Sequence, residues 1–127
     1  MNKLLQVLYT EDEPDIRAVV QFALEDEGFE LVSCASGREA LRQAPELKPD
    51  LILLDVMMPD MDGPTTLRRL RALPHLTDTA VIFMTAKIQS TEVAQYQAMG
   101  ALGVISKPFD AMTLAGDIRG ILEHGHD

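Results

Sequence analysis

Short apolar runs recur along the chain, and each ends in polar residues. Leu51–Leu54 is followed by Asp55, and three similar runs end at Glu11-Asp12, at Thr85 and at Lys107. Such runs, bounded by turn residues, are typical of the buried strands of a parallel sheet. Open α/β sheets bind their ligands at the carboxyl ends of the strands. The pattern therefore predicts one sheet edge that collects three carboxylates, a hydroxyl and an ammonium group.

Helical patterns lie between these runs, with apolar residues three or four positions apart. Another strand is predicted at Phe29–Cys34, and Ser36 with Glu39 has the spacing of a capping box ahead of the second helix. We expect Ser90 or Thr91 to cap the fourth helix, and the fifth helix to begin near Asp110. Strands that alternate with helices of about ten residues predict βαβ units. The expected fold is α/β, with a parallel sheet covered on both faces by five helices.

Composition restricts the possible partners and compartments. At 127 residues we expect a single domain over 1–127, and the start at Met1 favours a whole gene product without a tethered output module. The formal net charge of -9 opposes direct binding to nucleic acid or to anionic lipid. Cys34 is the only cysteine, which excludes an intrachain disulfide. Because no apolar segment has the length of a signal sequence or a membrane span, we expect a cytoplasmic protein without membrane insertion.

Each polar strand end also has a purely structural interpretation. Asp55 alone could start a turn, and Glu11-Asp12 could be acids that favour the N-terminus of the following helix. Lys107 could form only a strand-end salt bridge with Asp55. A chemical interpretation explains all of them together. A strand-end carboxylate can act as a nucleophile toward a phosphoryl group, and clustered carboxylates repel one another until a hard divalent cation binds.

In order and spacing, these residues resemble the receiver domain of two-component response regulators over nearly the whole chain. The resemblance implies a flavodoxin-like, doubly wound sheet of five parallel strands in the order 2-1-3-4-5. Any one of the shared motifs is weak, but all of them at strand ends form a specific signature. The matching motifs are Glu11-Asp12, Asp55 with Met58-Pro59-Asp60-Met61-Asp62-Gly63, Thr85-Ala86, Lys107-Pro108 and Phe109.

The resemblance also implies a metal site. It expects magnesium, or manganese in its place, with Asp12 and Asp55 as direct ligands. Glu11 is expected to hold a metal-bound water, and the main-chain carbonyl of Met57 to complete the protein's share of the ligands. Glu11 departs from the commonest pattern, which has aspartate, but its longer side chain still reaches a metal-bound water.

The same resemblance implies a signalling function. Asp55 accepts phosphate from a phosphohistidine on a sensor histidine kinase or a histidine phosphotransfer protein. Lys107 and the Thr85 hydroxyl bind the phosphoryl oxygens, and the small Ala86 leaves the phosphorus accessible. The expected result is a changed interaction face around helix four, strand five and helix five, which a downstream effector protein reads. Catalysis is expected only for the chain's own phosphorylation and dephosphorylation.

Two features depart from well-known receivers. Val104 stands where many carry an aromatic residue that rotates inward on activation, so a different packing change is expected here. In receivers, the residues two beyond the phosphoacceptor and two beyond the threonine flank the path of the hydrolytic water. Here they are Met57 and Lys87, which predict slow self-dephosphorylation.

Two other functions remain as alternatives. A haloacid-dehalogenase-like phosphatase also uses a strand-end aspartate, a hydroxyl, a lysine and magnesium. Such an enzyme needs a second aspartate two residues after the nucleophile as general acid, and Met57 occupies that position. A phosphorylation-independent interaction module would be supported by the loss of a site residue, and none is lost.

Overall fold

The computed structural model describes residues 4–86 and 89–124, so Lys87 lies outside the described residues. Five parallel strands form one sheet in the order β2-β1-β3-β4-β5, which confirms the predicted topology. This order brings β1 and β3 together at the centre of the sheet and leaves β5 at one edge. The strands are β1 (Leu5–Thr10), β2 (Phe29–Cys34), β3 (Leu51–Asp55), β4 (Ala80–Thr85) and β5 (Gly103–Ser106).

Five α-helices connect and flank the strands. The capping prediction for the second is confirmed, because the Ser36 hydroxyl accepts a hydrogen bond of 3.1 Å from the main-chain N–H of Glu39. Within the described ranges, no helix has the length and apolar character needed to cross a membrane. The helices are α1 (Pro14–Leu24), α2 (Gly37–Gln43), α3 (Gly63–Arg71), α4 (Ser90–Ala98) and α5 (Leu114–His124), with short 3-10 helices at Ala44–Glu46 and Pro74–Leu76.

The predicted starts of two helices were wrong. Gln89 occupies the N-cap position of α4 without a side-chain cap, and Ser90 is already the first helical residue. Helix α5 begins at Leu114 rather than near Asp110. The Asp110 side chain accepts a hydrogen bond of 2.9 Å from the main-chain N–H of Met112, and its carbonyl accepts one from Thr113. Asp110 therefore closes a turn before the helix, a role that competes with helix initiation for this residue type.

The strands alternate between two hydrophobic layers. On one face, residues such as Tyr9, Leu53 and Ile105 pack against α1 and α5. On the other face, Leu8 and Leu54 are among the residues that pack against α2, α3 and α4. Because side chains alternate along a strand, the residues two positions beyond Tyr9, Leu53 and Ile105 continue on the α1 and α5 side. This alternation directs the acidic and basic strand-end residues toward one face of the sheet edge.

Two glycines in α5 provide a test of helix stability. A Cβ atom added at Gly116 or at Gly120 would meet no atom within 4 Å in the described part of the chain. Alanine is favoured over glycine in a helix interior, so each Gly→Ala change should raise the free energy of unfolding by about 0.5–1 kcal/mol. Urea unfolding measures the change.

Gly63→Ala is the matched control for these variants. There a Cβ atom would lie 2.4 Å from the main-chain oxygen of Asp55, so the substitution should destabilise the protein. A loss of stability for Gly116→Ala or Gly120→Ala would contradict the prediction.

Candidate functional site

Three carboxylates meet at the carboxyl ends of β1 and β3. Glu11 and Asp12 directly follow β1, and Asp55 is the last residue of β3. One carboxylate oxygen from each lies within 4.8 Å of the other two. Glu11 is completely buried, Asp55 is almost completely buried, and Asp12 is half-buried. Negative charges held this close and this far from water repel one another, so the cluster favours a bound cation.

Lys107 supplies one positive charge to this cluster. Its ammonium nitrogen lies 2.9 Å from Glu11 Oε1 and 3.0 Å from Asp55 Oδ1. Strand β5 carries Lys107 to the site, and the Lys107 main-chain N–H donates to the carbonyl of Thr85 on the neighbouring strand over 2.9 Å. The structural interpretation of Lys107 as a salt-bridge partner is therefore correct, and Glu11 shares the ion pair with Asp55. One ammonium group does not balance three carboxylates.

Burial and hydrogen bonding shift the pKa values of Glu11, Asp55 and Lys107. Loss of contact with water raises the pKa of Glu11 and the pKa of Asp55, and the hydrogen bonds from Lys107 only partly oppose this effect. Burial lowers the pKa of Lys107, but its hydrogen bonds to Glu11 and Asp55 outweigh that effect, so the pKa lies above the ordinary lysine value. Lys107 is therefore charged at neutral pH, and the two carboxyl groups bind a proton more tightly than they would in water.

The donor set fits a hard divalent cation such as magnesium. Asp55 Oδ2 is buried and has no hydrogen-bond partner in the part of the chain that the structure describes. An unpaired buried carboxylate oxygen is costly, and coordination to a cation removes that cost. Both Glu11 oxygens are already occupied, since Oε1 accepts from Lys107 and Oε2 accepts from the main-chain N–H of Glu13 over 3.2 Å. Asp12 and Asp55 are therefore better placed than Glu11 to bind a metal directly.

Thr85 and Ala86 lie at the same sheet edge, at the end of β4. The strand register pairs Met84 with Asp55 and Thr85 with Ser106, the residue before Lys107. Thr85 is buried, whereas Ala86 is exposed. Asp55, Thr85, Ala86 and Lys107 therefore lie at or directly after the ends of three adjacent strands, β3, β4 and β5.

Met57 lies in the loop between β3 and α3, two residues after Asp55. The Met57 side chain is 65% exposed, whereas Met58 and Met61 are buried beneath the loop. Two hydrogen bonds anchor the end of the loop: the Gly63 N–H donates to the Val56 carbonyl, and Asp62 caps α3. The buried side chains of Met58 and Met61 and the Asp62 cap hold the backbone of this loop beside Asp55.

Two contacts of the site were not predicted from the sequence. The Arg38 side chain at the start of α2 donates a hydrogen bond to the carboxylate of Asp60 in the β3–α3 loop. Arg17, in α1, donates from Nη1 to the main-chain carbonyl of Glu11 over 2.7 Å. Arg17 lies one helical turn after Glu13 at the start of α1, and this spacing could have predicted that its side chain reaches the end of β1. Arg38 and Asp60 have no pattern in common, and only the fold brings them together.

The face beside β5 contains an aromatic residue, Tyr96, that was not predicted from the sequence. Val104 is half-buried and packs against the layer that contains Tyr96 of α4. The rings of Tyr96 and Phe83 have centroids 5.0 Å apart and are tilted by 47°. Tyr96 lies one helical turn after Val93, so its inward position could have been predicted from the spacing. On this face the aromatic packing comes from α4 rather than from position 104.

Comparisons with known proteins agree with this geometry. The family model described as response regulator receiver domain matches residues 7–119. The transcriptional regulatory protein CseB of Streptomyces avermitilis is 35% identical over 127 residues, which cover 99% of this chain and 53% of that protein. The alkaline phosphatase synthesis transcriptional regulatory protein PhoP of Bacillus subtilis is 33% identical, over 96% of this chain and 49% of that protein. The chain thus spans about half the length of these curated relatives.

Solved structures give the same result for the fold. The chemotaxis response regulator CheY4 of Vibrio cholerae is 31% identical and superimposes with a TM-score of 0.87. That similarity covers 94% of this chain and 99% of the CheY4 chain.

Proposed function

The chain belongs to the response regulator receiver domain family, and from that premise we propose that Asp55 accepts a phosphoryl group from a phosphohistidine and thereby switches the chain's interaction surface. One observation carries the proposal. Asp55 is buried, Lys107 holds one of its carboxylate oxygens at 3.0 Å, and the other oxygen has no partner among the described residues. A nucleophile beside a cation-binding cluster has the requirements for phosphoryl transfer.

The proposed reaction is a single displacement at phosphorus. An Asp55 oxygen forms a bond to phosphorus while the bond from phosphorus to the imidazole nitrogen breaks, and the donor histidine keeps the electron pair and takes up a proton. Lys107 then exchanges part of its contact with Asp55 for a phosphoryl oxygen, and the Thr85 hydroxyl donates to another. Asp12, Asp55 and the Met57 carbonyl would hold magnesium, which would supply positive charge to stabilise the phosphoryl oxygens.

The alternative functions have less support. A phosphatase of the haloacid-dehalogenase type needs an acid where Met57 stands, and the thioether of Met57 points to solvent and cannot donate a proton. A phosphorylation-independent module would not need Glu11, Asp55 and Lys107 held within hydrogen-bond distance.

The partners follow from the proposed chemistry. The phosphodonor is a sensor histidine kinase or a histidine phosphotransfer protein, and because kinases of this type use ATP, we place the reaction in the cytoplasm. The receiver of the signal is an effector protein that contacts α4, β5 and α5. Nucleic acid is not proposed as a direct partner, since the net charge of -9 opposes contact with phosphate backbones.

Mass spectrometry after incubation with acetyl phosphate tests this function. With magnesium present, the chain should gain one phosphoryl group, and the gain should disappear when EDTA removes the metal. The absence of any gain with magnesium, or an equal gain in EDTA, would contradict the proposal.

Metal binding is predicted to need Asp12 more than Glu11. Direct coordination outweighs a contact through water, and the structure already commits both Glu11 oxygens to Lys107 and to the Glu13 amide. Asp12→Ala should weaken magnesium binding about tenfold or more, and Glu11→Ala by a smaller factor. Isothermal titration with magnesium measures both constants, and equal losses would contradict this ordering.

A long-lived phosphorylated state is also predicted. Methionine at position 57 offers no base to orient a hydrolytic water, and a lysine at position 87 can hold the phosphoryl charge and obstruct attack. Met57→Asn combined with Lys87→Glu should shorten the lifetime about tenfold, or by about 1.4 kcal/mol of barrier. Decay is followed after removal of the phosphodonor at fixed magnesium, with each single variant as a control. An unchanged or longer lifetime in the double variant would count against the prediction.

A further inference from the structure

Of the three clustered carboxylates, Asp12 is the one that no other side chain holds. Its carboxylate is half-buried, and it forms no hydrogen bond or ion pair with the residues that the structure describes. Glu11 and Asp55, by contrast, both contact Lys107. Because the proposed function makes Asp12 a direct metal ligand, its position before the metal binds has to come from its backbone.

The backbone on both sides of Asp12 is held by hydrogen bonds. Before it, the Glu11 N–H donates to the Cys34 carbonyl over 3.0 Å, which continues the pairing of β1 with β2. After it, the Glu13 N–H donates to Glu11 Oε2 over 3.2 Å, and the Glu13 carbonyl accepts from the Arg17 main-chain N–H over 3.0 Å. The peptide group between Glu11 and Asp12 is held by one further contact, at its carbonyl oxygen.

The Arg17 side chain makes that contact. Its Nη1 donates to the Glu11 carbonyl over 2.7 Å. A peptide group is planar, so a hydrogen bond that orients the Glu11 carbonyl also orients the amide nitrogen and the Cα atom of Asp12. The guanidinium group therefore acts on Asp12 through the main chain rather than through its carboxylate.

The place of Arg17 in α1 is unfavourable for a cation. Arg17 is the fourth residue of a helix that begins at Pro14, and the helix dipole disfavours positive side chains near that end. The helix start also lacks a side-chain cap, since Glu13 occupies the N-cap position without one. A residue that opposes a local preference indicates a compensating role, and the hydrogen bond to Glu11 supplies one.

We propose that Arg17 is a positioning residue for the metal site: by fixing the peptide group between Glu11 and Asp12, it holds the Asp12 carboxylate where a divalent cation can bind it. The inference rests on the proposed function for the identity of the metal ligands. Ordering a ligand before the cation arrives removes an entropic cost from binding. Loss of the contact should therefore weaken metal affinity rather than the chemistry at phosphorus.

Electrostatics alone predicts the opposite effect. A positive charge near the carboxylates repels an incoming cation, so removal of the Arg17 charge would strengthen magnesium binding if charge dominated. Arg17 is half-buried, and the water that still reaches it screens its charge, whereas its hydrogen bond of 2.7 Å is short and direct. The direction of the change in affinity therefore distinguishes positioning from charge.

The test replaces Arg17 by methionine, which keeps an apolar side chain but cannot donate, and by lysine, which keeps the charge and can donate. Isothermal titration with magnesium chloride measures the dissociation constant of each variant. Arg17→Met should weaken binding about threefold to tenfold, the range that one net hydrogen bond supplies, and Arg17→Lys should recover part of the loss. Unchanged or tighter binding by Arg17→Met would overturn the inference.

Arg119→Met is the matched control. Arg119 also donates from its guanidinium group to a main-chain carbonyl, that of Glu27, but Glu27 precedes β2 and so lies at the opposite edge of the sheet from the acidic cluster. Both variants remove one positive charge and one hydrogen bond to the main chain, so both should lower the free energy of unfolding. Only Arg17→Met should change the affinity for magnesium. An equal change in Arg119→Met would overturn the inference, because it would follow from net charge or stability.

The rate of phosphorylation by acetyl phosphate gives a second readout, in which no partner protein takes part. In Arg17→Met the magnesium concentration for half-maximal rate should rise by the same factor as the dissociation constant, and the rate at saturating magnesium should stay nearly normal. A lower rate at saturation with an unchanged half-maximal concentration would overturn the inference, since Arg17 would then act on the chemistry. If the unaltered chain gains no phosphoryl group, the proposed function fails, and the magnesium titrations still decide the role of Arg17.

Discussion

Asp55→Asn is expected to lose all detectable phosphorylation by acetyl phosphate. The amide of asparagine is not a nucleophile toward phosphorus, and Glu11 cannot replace Asp55, since both Glu11 oxygens are engaged, by Lys107 and by the Glu13 main-chain N–H. We expect a rate reduction of at least about a thousandfold, which corresponds to about 4 kcal/mol of barrier. Intact-protein mass spectrometry at a fixed magnesium concentration measures the remaining phosphorylation.

The control for this variant is Asp60→Asn. Asp60 lies on the same loop, is exposed, and has a positive φ of 72° that asparagine also tolerates. The Asp60→Asn variant should be phosphorylated at nearly the normal rate. If Asp55→Asn still gained one phosphoryl group with magnesium present, another residue would be the acceptor and the site would have to be reassigned.

The sheet was predictable because the sequence patterns that indicate its strands are local. Apolar runs such as Leu51–Leu54 are buried on both sides, and helical patterns separate them, so the strand count and the parallel arrangement follow from periodicity. The strand order was implied by the resemblance rather than by any local pattern. Once the order is known, the alternation of side chains along β1, β3 and β5 accounts for the common position of Glu11, Asp55 and Lys107.

The helix starts were less predictable because residues with similar propensities compete there. Asp110 was expected to start α5, but its side chain closes a turn onto Met112, and both roles suit aspartate. Ser90 or Thr91 was expected to cap α4, yet the N-cap position belongs to Gln89, one residue earlier than Ser90. In both cases neighbouring residues offer local alternatives, and propensity alone does not choose between them.

The ion pair between Lys107 and Glu11 joins residues 96 positions apart, and no sequence pattern specifies it. The sequence showed only that both residues end strands. The pairing depends on the length of the Glu11 side chain, which reaches the ammonium group of Lys107 while the Asp55 carboxylate also contacts it. Lys107 thus joins the ends of β1 and β3, through Glu11 and Asp55.

Lys107→Met is expected to destabilise the metal-free protein at neutral pH. The substitution leaves the buried carboxylates of Glu11 and Asp55 without their cation, and breaking a buried ion pair in this way costs several kcal/mol. Because the Lys107 side chain keeps 15% of its exposure, we expect the lower part of that range, about 2–3 kcal/mol in the free energy of unfolding. Urea unfolding in EDTA measures the loss, and Lys48→Met, at an exposed position, is the control for the change in net charge.

The pH dependence of the stability lost in Lys107→Met distinguishes electrostatic repulsion from a packing defect. Burial raises the pKa of Glu11 and of Asp55 in the folded state, so the folded chain binds protons more tightly than the unfolded chain does. For such groups, stability is greatest below the unfolded pKa and is lost as the pH rises through the folded pKa. Without Lys107 both pKa values should rise further, so the deficit of Lys107→Met should be large at about pH 8 and should shrink toward about pH 5. Added magnesium should recover part of the deficit at pH 8, since it replaces the missing positive charge. A deficit that is the same at both pH values and unaffected by magnesium would show that Lys107 contributes packing rather than charge to this site.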